Sequence, residues 1–229
     1  MNIHLEFGEH WHYNLFGLIV NMDTVLTAWL AMLIVLVISG LIALGFKREP
    51  GKLQAFGEMV YKALESIPVS QIGKEGKSYT PIIGSLFLFI LTANLIGQLP
   101  WKYIHLTEGE FASPTNDLNL TAALAILAVI CYLVAGMLKK GPIKYIKTFF
   151  TPMGLLEVLE LVTRPLSLSL RLFANILAGE IVIMVMLGLL APFLPIPLML
   201  FEVFVAFIQA FIFSILTASY IAGAVSHEH

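Results

Sequence analysis

Charge is what this 229-residue chain has least of: Asp, Glu, Lys and Arg make up 12% of it, against 59% hydrophobic residues. So few charges are too few to cover the surface of a soluble domain of this size. With a mean hydropathy of +0.89, the composition points to a chain that crosses a bilayer several times. The net charge of −2 says nothing by itself about nucleic acid, but no basic face for phosphates is visible, so no nucleic-acid partner is expected. Cysteine is nearly absent. Cys131 is alone, so no intrachain disulfide can form, and in its apolar run it reads as a packing or lipid-facing residue. No GxxxxGK[ST] loop occurs, so no ATP-hydrolysing site is expected on this chain, and no cofactor. Residues 1–17 hold no Lys or Arg, and the first apolar run is too long for a cleavable signal, so that run is expected to stay as a membrane helix.

What is present are apolar runs of helical length, and the chain has room for about five to six spans of roughly 20 residues. Residues 1–23 are amphipathic, with His4, Glu6, Glu9, His10 and His12 among aromatics. His10 and His12, like His227 and His229 in the tail, lack a carboxylate or Cys partner at ligand spacing, so no metal site is expected. The spans read as 25–46, 81–99 and 118–138, followed by two longer helices at 152–191 and 198–225 with Pro192, Pro195 and Pro197 at the turn. Between the first two spans, 52–77 is too polar to cross. Its apolar positions Leu53, Phe56, Val60, Leu64 and Ile67 step by three or four, the pattern of an interfacial amphipathic helix. The fold class is therefore an all-α polytopic membrane protein forming one membrane domain, with the last two helices long and tilted as a hairpin.

Basic residues orient it. Lys47, Arg48, Lys52, Lys62, Lys74 and Lys77 fall in one segment and Lys139, Lys140, Lys144 and Lys147 in another, and the topology puts both on one side. Positive loops mark the cytoplasm, so the amino terminus is expected outside or lumenal and the tail cytoplasmic or stromal. Lys102 lies on the opposite side, in the loop 101–117 with Glu108, Glu110 and Asp117.

Arg164 and Arg171 lie inside the fifth membrane helix. On a wheel of 100° per residue, Glu157, Glu160, Arg164, Ser167 and Asn175 all fall within about 40° of Arg171, one polar stripe on a leucine-rich helix. Glu180 lies half a turn away and is expected to face the last helix, towards Gln209. On that last helix Glu202, Gln209 and Tyr220 share a face. Glu157 or Glu160 pairing with Arg164 would be structural. Arg171 is different: it does not lose its proton, and a central arginine costs between about 3 and 15 kcal/mol. Its compensating carboxylate would be Glu180, Glu202 or a group on another protein. Asn94 and Gln98, four apart near the outer end of the second span, read as packing groups that hydrogen-bond a neighbouring helix.

Four separated motifs together resemble the a subunit of the rotary F-type ATP synthases. They are Arg171-Leu-Phe-Ala-Asn175 with Ala178-Gly179-Glu180 and the preceding Arg164-Pro165-Leu-Ser167; Gln209-Ala-Phe-Ile-Phe213 with Leu216-Thr217 and Tyr220; Asn94-Leu-Ile-Gly-Gln-Leu-Pro100; and Pro114-Thr-Asn-Asp117. The resemblance covers nearly the whole chain in order. It implies a stator subunit beside a c-ring whose subunits carry a mid-membrane carboxylate, held by b-type peripheral stalk subunits in a bacterial plasma membrane or an organelle energy-coupling membrane. The family's essential arginine falls on Arg171. Its half-channel residues fall on Asn175, Glu180 and Gln209, and Ser167 matches a position near the cytoplasmic exit. Some members have His where this chain has Glu202, which leaves the role of Glu202 and the choice of proton or sodium open; some have lysine at the place of Arg164. A cation/proton antiporter, the other class with buried charges, would show two related halves with broken helices, and no internal repeat is visible. A mere scaffold would not require Arg171.

Overall fold

The computed structural model describes residues 12–15, 18–45, 51–98, 113–148, 154–189 and 195–226. The stretch before His12, the acidic part of loop 101–117, the Pro192 turn and the tail histidines lie outside the described residues.

A two-stranded antiparallel hairpin, β1 (His12–Leu15) and β2 (Leu18–Asn21), precedes a set of helices. These are α1 (Met22–Leu44), α2 (Lys52–Ile72), α3 (Thr80–Gly97), α4 (Leu118–Lys140), α5 (Pro142–Thr148), α6 (Gly154–Leu189) and α7 (Pro195–Ser226). Five stretches are long and apolar enough to cross a bilayer, carried by α1, α3, α4, α6 and α7. Apart from the hairpin the architecture is helical, a polytopic membrane bundle. The amphipathic α2 lies against α3 and α7 and buries Leu64 and Ile67, while Phe56, Met59 and Tyr61 stay exposed.

Local chemistry sets the helix ends. Pro81 sits in the first turn of α3, and Pro195 and Pro197 in that of α7, where a missing N–H costs nothing. α4 ends at Gly141, whose φ of 80° favours glycine, and Pro142 opens α5 from the next position. The basic stretch read as a loop is thus in part a short helix. Gly136 on α4 makes room for it: a Cβ there would run into the Tyr145 ring.

α3 is the central element. Half of its span is buried, 50%, against 17% for α1. Its Ile83, Phe87 and Ile90 join Ala125, Ala128 and Tyr132 of α4, Leu168 and Leu172 of α6, and Ala210, Phe213, Ala218 and Ile221 of α7 in one core. Alanines at these contacts let backbones approach, the usual means of packing where lipid supplies no hydrophobic drive between helices. α6 runs 36 residues without interruption through Pro165. At 1.5 Å per residue that is about 54 Å, well beyond a hydrocarbon core of about 30 Å, so α6 is longer than a perpendicular crossing needs.

At one end of the bundle, Ser113 and a 3-10 turn, Pro114–Asn116, precede Asp117. Asp117 Oδ1 accepts from the Asn119 N–H at 2.8 Å and caps α4. Its Oδ2 accepts from Asn21 Nδ2 at 2.9 Å and from Thr24 Oγ1 at 3.1 Å, tying α1 to the bundle. At the opposite end Lys139 pairs with Glu75 at 2.7 Å, an exposed contact of small worth. The first consequence is testable. Asp117→Ala removes a cap and the α1 tether together, with an expected loss of about 1–2 kcal/mol, read as a lower midpoint for thermal release of the chain from the detergent-solubilised assembly.

Candidate functional site

α6 divides its residues between two environments. Leu168, Leu172 and Ile176 are buried against the bundle, whereas Leu159, Val162, Leu166 and Leu170 are exposed. Arg171 lies at the border of these strips, half-buried, with Ser167 and Asn175 exposed beside it. Its Nη2 reaches Ser167 Oγ at 3.5 Å. Among the described residues no carboxylate lies within ion-pair distance of Arg171. Neither Glu180 nor Glu202 supplies its counter-charge in this chain.

Asn175 turns the other way, and its Nδ2 donates to Gln209 Oε1 at 2.7 Å. Gln209 is buried on α7, so this bond joins the two long helices at mid-length. Glu202, two turns earlier on α7, is 6% exposed. Neither of its carboxylate oxygens has a hydrogen-bond partner. Gln98 at the end of α3 lies within reach of its carboxylate, without completing a bond of good geometry. Gly179 permits the approach of α6 here, because a Cβ on it would strike the Glu202 carboxylate.

The expectation that Glu180 faces Gln209 is corrected. Glu180 Oε2 accepts from Asn116 Nδ2 at 2.6 Å, and Oε1 accepts from the Ser113 N–H at 3.3 Å. The reason is packing: α6 lies against α4 and the turn before it, so the side of α6 opposite Arg171 meets that turn, while Asn175 takes Gln209. Asn94 likewise bonds the turn and not a neighbouring helix. Its Oδ1 accepts from Thr115 Oγ1 at 2.7 Å, and it is fully buried. Ser113, Thr115 and Asn116 carried no assigned role in the sequence. The signal was the Pro114-Thr-Asn-Asp117 motif, which holds Thr115 and Asn116 and directly follows Ser113, at the end of a loop that periodicity cannot read.

At the other end of the stripe, Glu160 pairs with Arg164 one turn on. The Arg164 guanidinium also lies over two rings, 5.3 Å from the centre of Tyr132 and 4.6 Å from that of Tyr220, a cation–π setting that a planar guanidinium suits better than an ammonium. A cavity of about 40 Å³ opens beside it, lined by Tyr145, Glu157, Glu160 and Lys140 among others. Burial pushes the Tyr145 phenol up, with the nearby Glu157 carboxylate adding to the effect.

Among the described residues, polar side chains run through the core of a polytopic helical bundle, and Arg171 has no ion-pair partner at the edge of an apolar face. The fold and composition define an integral multi-pass membrane protein. Residues 25–222 match the family model for the ATP synthase A chain. The chain is also 44% identical to the "ATP synthase subunit a" of Gloeobacter violaceus (strain ATCC 29082 / PCC 7421), over 96% of this chain and 91% of that relative. The chain belongs to the ATP synthase A chain family, the membrane-sector subunits of F-type ATP synthases.

The Asn175–Gln209 bond gives a measurable coupling. A double-mutant cycle with Asn175→Ala and Gln209→Ala is expected to return about 1 kcal/mol of interaction in thermal stability of the assembled complex; strictly additive losses would mean that the two amides do not meet.

Proposed function

We propose that this chain is the stator half of an ion-driven rotary motor, in which Arg171 is the fixed charge that a ring of rotor carboxylates passes. The observation that carries the reading is a permanent cation at the border of an exposed apolar helix face, with no carboxylate partner among the described residues. A carboxylate facing lipid must be protonated or ion-bound, because a bare charge there is too costly. Beside Arg171 the same carboxylate is stable ionised. One fixed guanidinium therefore forces each rotor site to release its ion on arrival and to reload after passing. It also blocks a direct leak between two water paths, so that flow requires rotation. A potential of 100 mV contributes roughly 2.3 kcal/mol per charge moved.

The two half-channels follow the polar groups on either side of Arg171. On one side are Asn175, Gln209, Glu180 and Glu202, with Asn94 and Gln98 as supports. On the other are Ser167 and the cavity beside Arg164, Glu157 and Glu160. By the distribution of basic residues, the Lys140 end is cytoplasmic or stromal and the Pro114 end is outside or lumenal. The partners are a c-ring on the exposed face of α6 and a b-type peripheral stalk that keeps this chain from turning with it. The coupling ion is a proton or sodium.

Arg171→Ala is expected to abolish ion-coupled ATP synthesis in reconstituted vesicles while the complex still assembles; coupled synthesis that survives would sink this reading. Glu202→Gln is expected to alter the pH or sodium dependence of ATP-driven ion uptake. An unchanged profile would leave Glu202 a packing group beside Gly179.

A further inference from the structure

We propose that Asn116 is a positioning residue for Glu180, and that the 113–117 turn is a rigid donor cradle holding the Glu180 carboxylate at one point of the ion path. The inference rests on the reading of Glu180 as an ion-path residue and adds what places it.

A glutamate on a helix has three rotatable bonds and sweeps a wide arc, and confining it costs side-chain entropy. Here each carboxylate oxygen meets its own N–H: Asn116 Nδ2 at 2.6 Å on Oε2 and the Ser113 backbone at 3.3 Å on Oε1. Two donors three residues apart on one turn grip both oxygens and define the plane of the group.

The donors are themselves held. Thr115 Oγ1 donates to Asn94 Oδ1 at 2.7 Å. The Ser113 hydroxyl lies 2.7 Å from Thr115 Oγ1 and 3.1 Å from the Ala93 carbonyl. Asp117 closes the far side through Asn21 and Thr24. Ser113 and Thr115 are buried, so these bonds do not compete with bulk water. Gly97 admits the turn: a Cβ there would collide with the Ser113 side chain. α1, α3 and the start of α4 thus all fix a turn whose free donors point at α6.

The choice of an amide has a chemical reason. An ion-path carboxylate must bind and release its ion, so a permanent cation beside it would compete with that ion. An Asn amide donates a hydrogen bond, carries no charge and does not titrate. It orients the carboxylate without competing for its charge, as a preorganised support should.

The test uses the complete assembly in inverted membrane vesicles, with ATP-driven uptake followed by a pH-sensitive dye and by radioactive sodium. Asn116→Asp keeps the shape and removes the donor; Asn116→Ala removes the side chain; Asn116→Gln keeps the amide. At normal subunit content, N116D and N116A are expected to lower uptake about tenfold or more, as for loss of a hydrogen bond to a charged group. N116Q is expected to recover part of it, which a space-filling role would not produce. Assembled N116D with unchanged uptake overturns the proposal, as does N116Q falling as far as N116A. Failure of all three variants to assemble also overturns it, since the turn would then be a folding node only. Glu180→Gln run alongside separates the two layers: unchanged uptake there sinks the reading of Glu180 itself, whereas loss there with unaffected N116D sinks only the cradle.

Discussion

A guanidinium does not shed its proton, and in lipid it cannot be left to hydrocarbon. That constraint bears on Arg171, which is half-buried at the border of the exposed face of α6. Much of the rest of α6 is apolar, with Leu168, Leu172 and Ile176 buried against the bundle, where α4 and α7 supply the alanines that let the helices approach. Ser167 and Asn175, one turn either way, soften the local environment without cancelling it. A carboxylate at ion-pair distance would have been the stabilising solution for an isolated protein. Its absence among the described residues leaves Arg171 without a counter-charge there, as the proposed rotor carboxylate requires.

The second constraint is that a helix offers only one direction at each residue. Arg171 and Glu180 are half a turn apart, and the structure uses that separation. One side of α6 stays free for a partner, and the opposite side is anchored on the turn before α4. Gly179 lets α7 bring Glu202 close to the same stretch of α6. Three ionisable groups therefore lie along a few turns of α6 and the facing part of α7, each in a different environment: exposed flank, donor-filled cradle, and unpartnered burial.

How much of this the sequence revealed follows from the range over which each signal acts. Five spans and an additional amphipathic helix were legible, because hydropathy over about 20 residues depends on nothing but the local chain. The Arg171 stripe was legible for the same reason, since 3.6-residue periodicity puts 157, 160, 164, 167, 171 and 175 on one side of any helix they form. The direction of Glu180 was legible as an angle, but not as a contact. Knowing that it points away from Arg171 says nothing about which element waits there, and the last helix was the wrong one. The Pro114–Asn116 turn has too few residues to carry a period, and its bonds to Asn94 and Glu180 join positions 21 and 64 apart. Arg164 gave its charge away but not its setting, since Tyr132 and Tyr220 come from two other helices.

Around Arg171 and Glu180 the described hydrogen bonds come from neutral groups: Arg171 reaches the Ser167 hydroxyl, and Glu180 accepts from the Asn116 amide and the Ser113 N–H. A permanently charged neighbour would hold an ionised carboxylate, and a buried pair of that kind is hard to part once formed. An amide satisfies the backbone or a carboxylate oxygen and leaves the net charge of the site unchanged. Such groups hold geometry while leaving occupancy free to change, which is the requirement of any path that must take up an ion and let it go. On this argument the scarcity of charge that marks the whole composition is not only a consequence of living in lipid. Under the proposed function it also keeps the few charges that remain available for exchange.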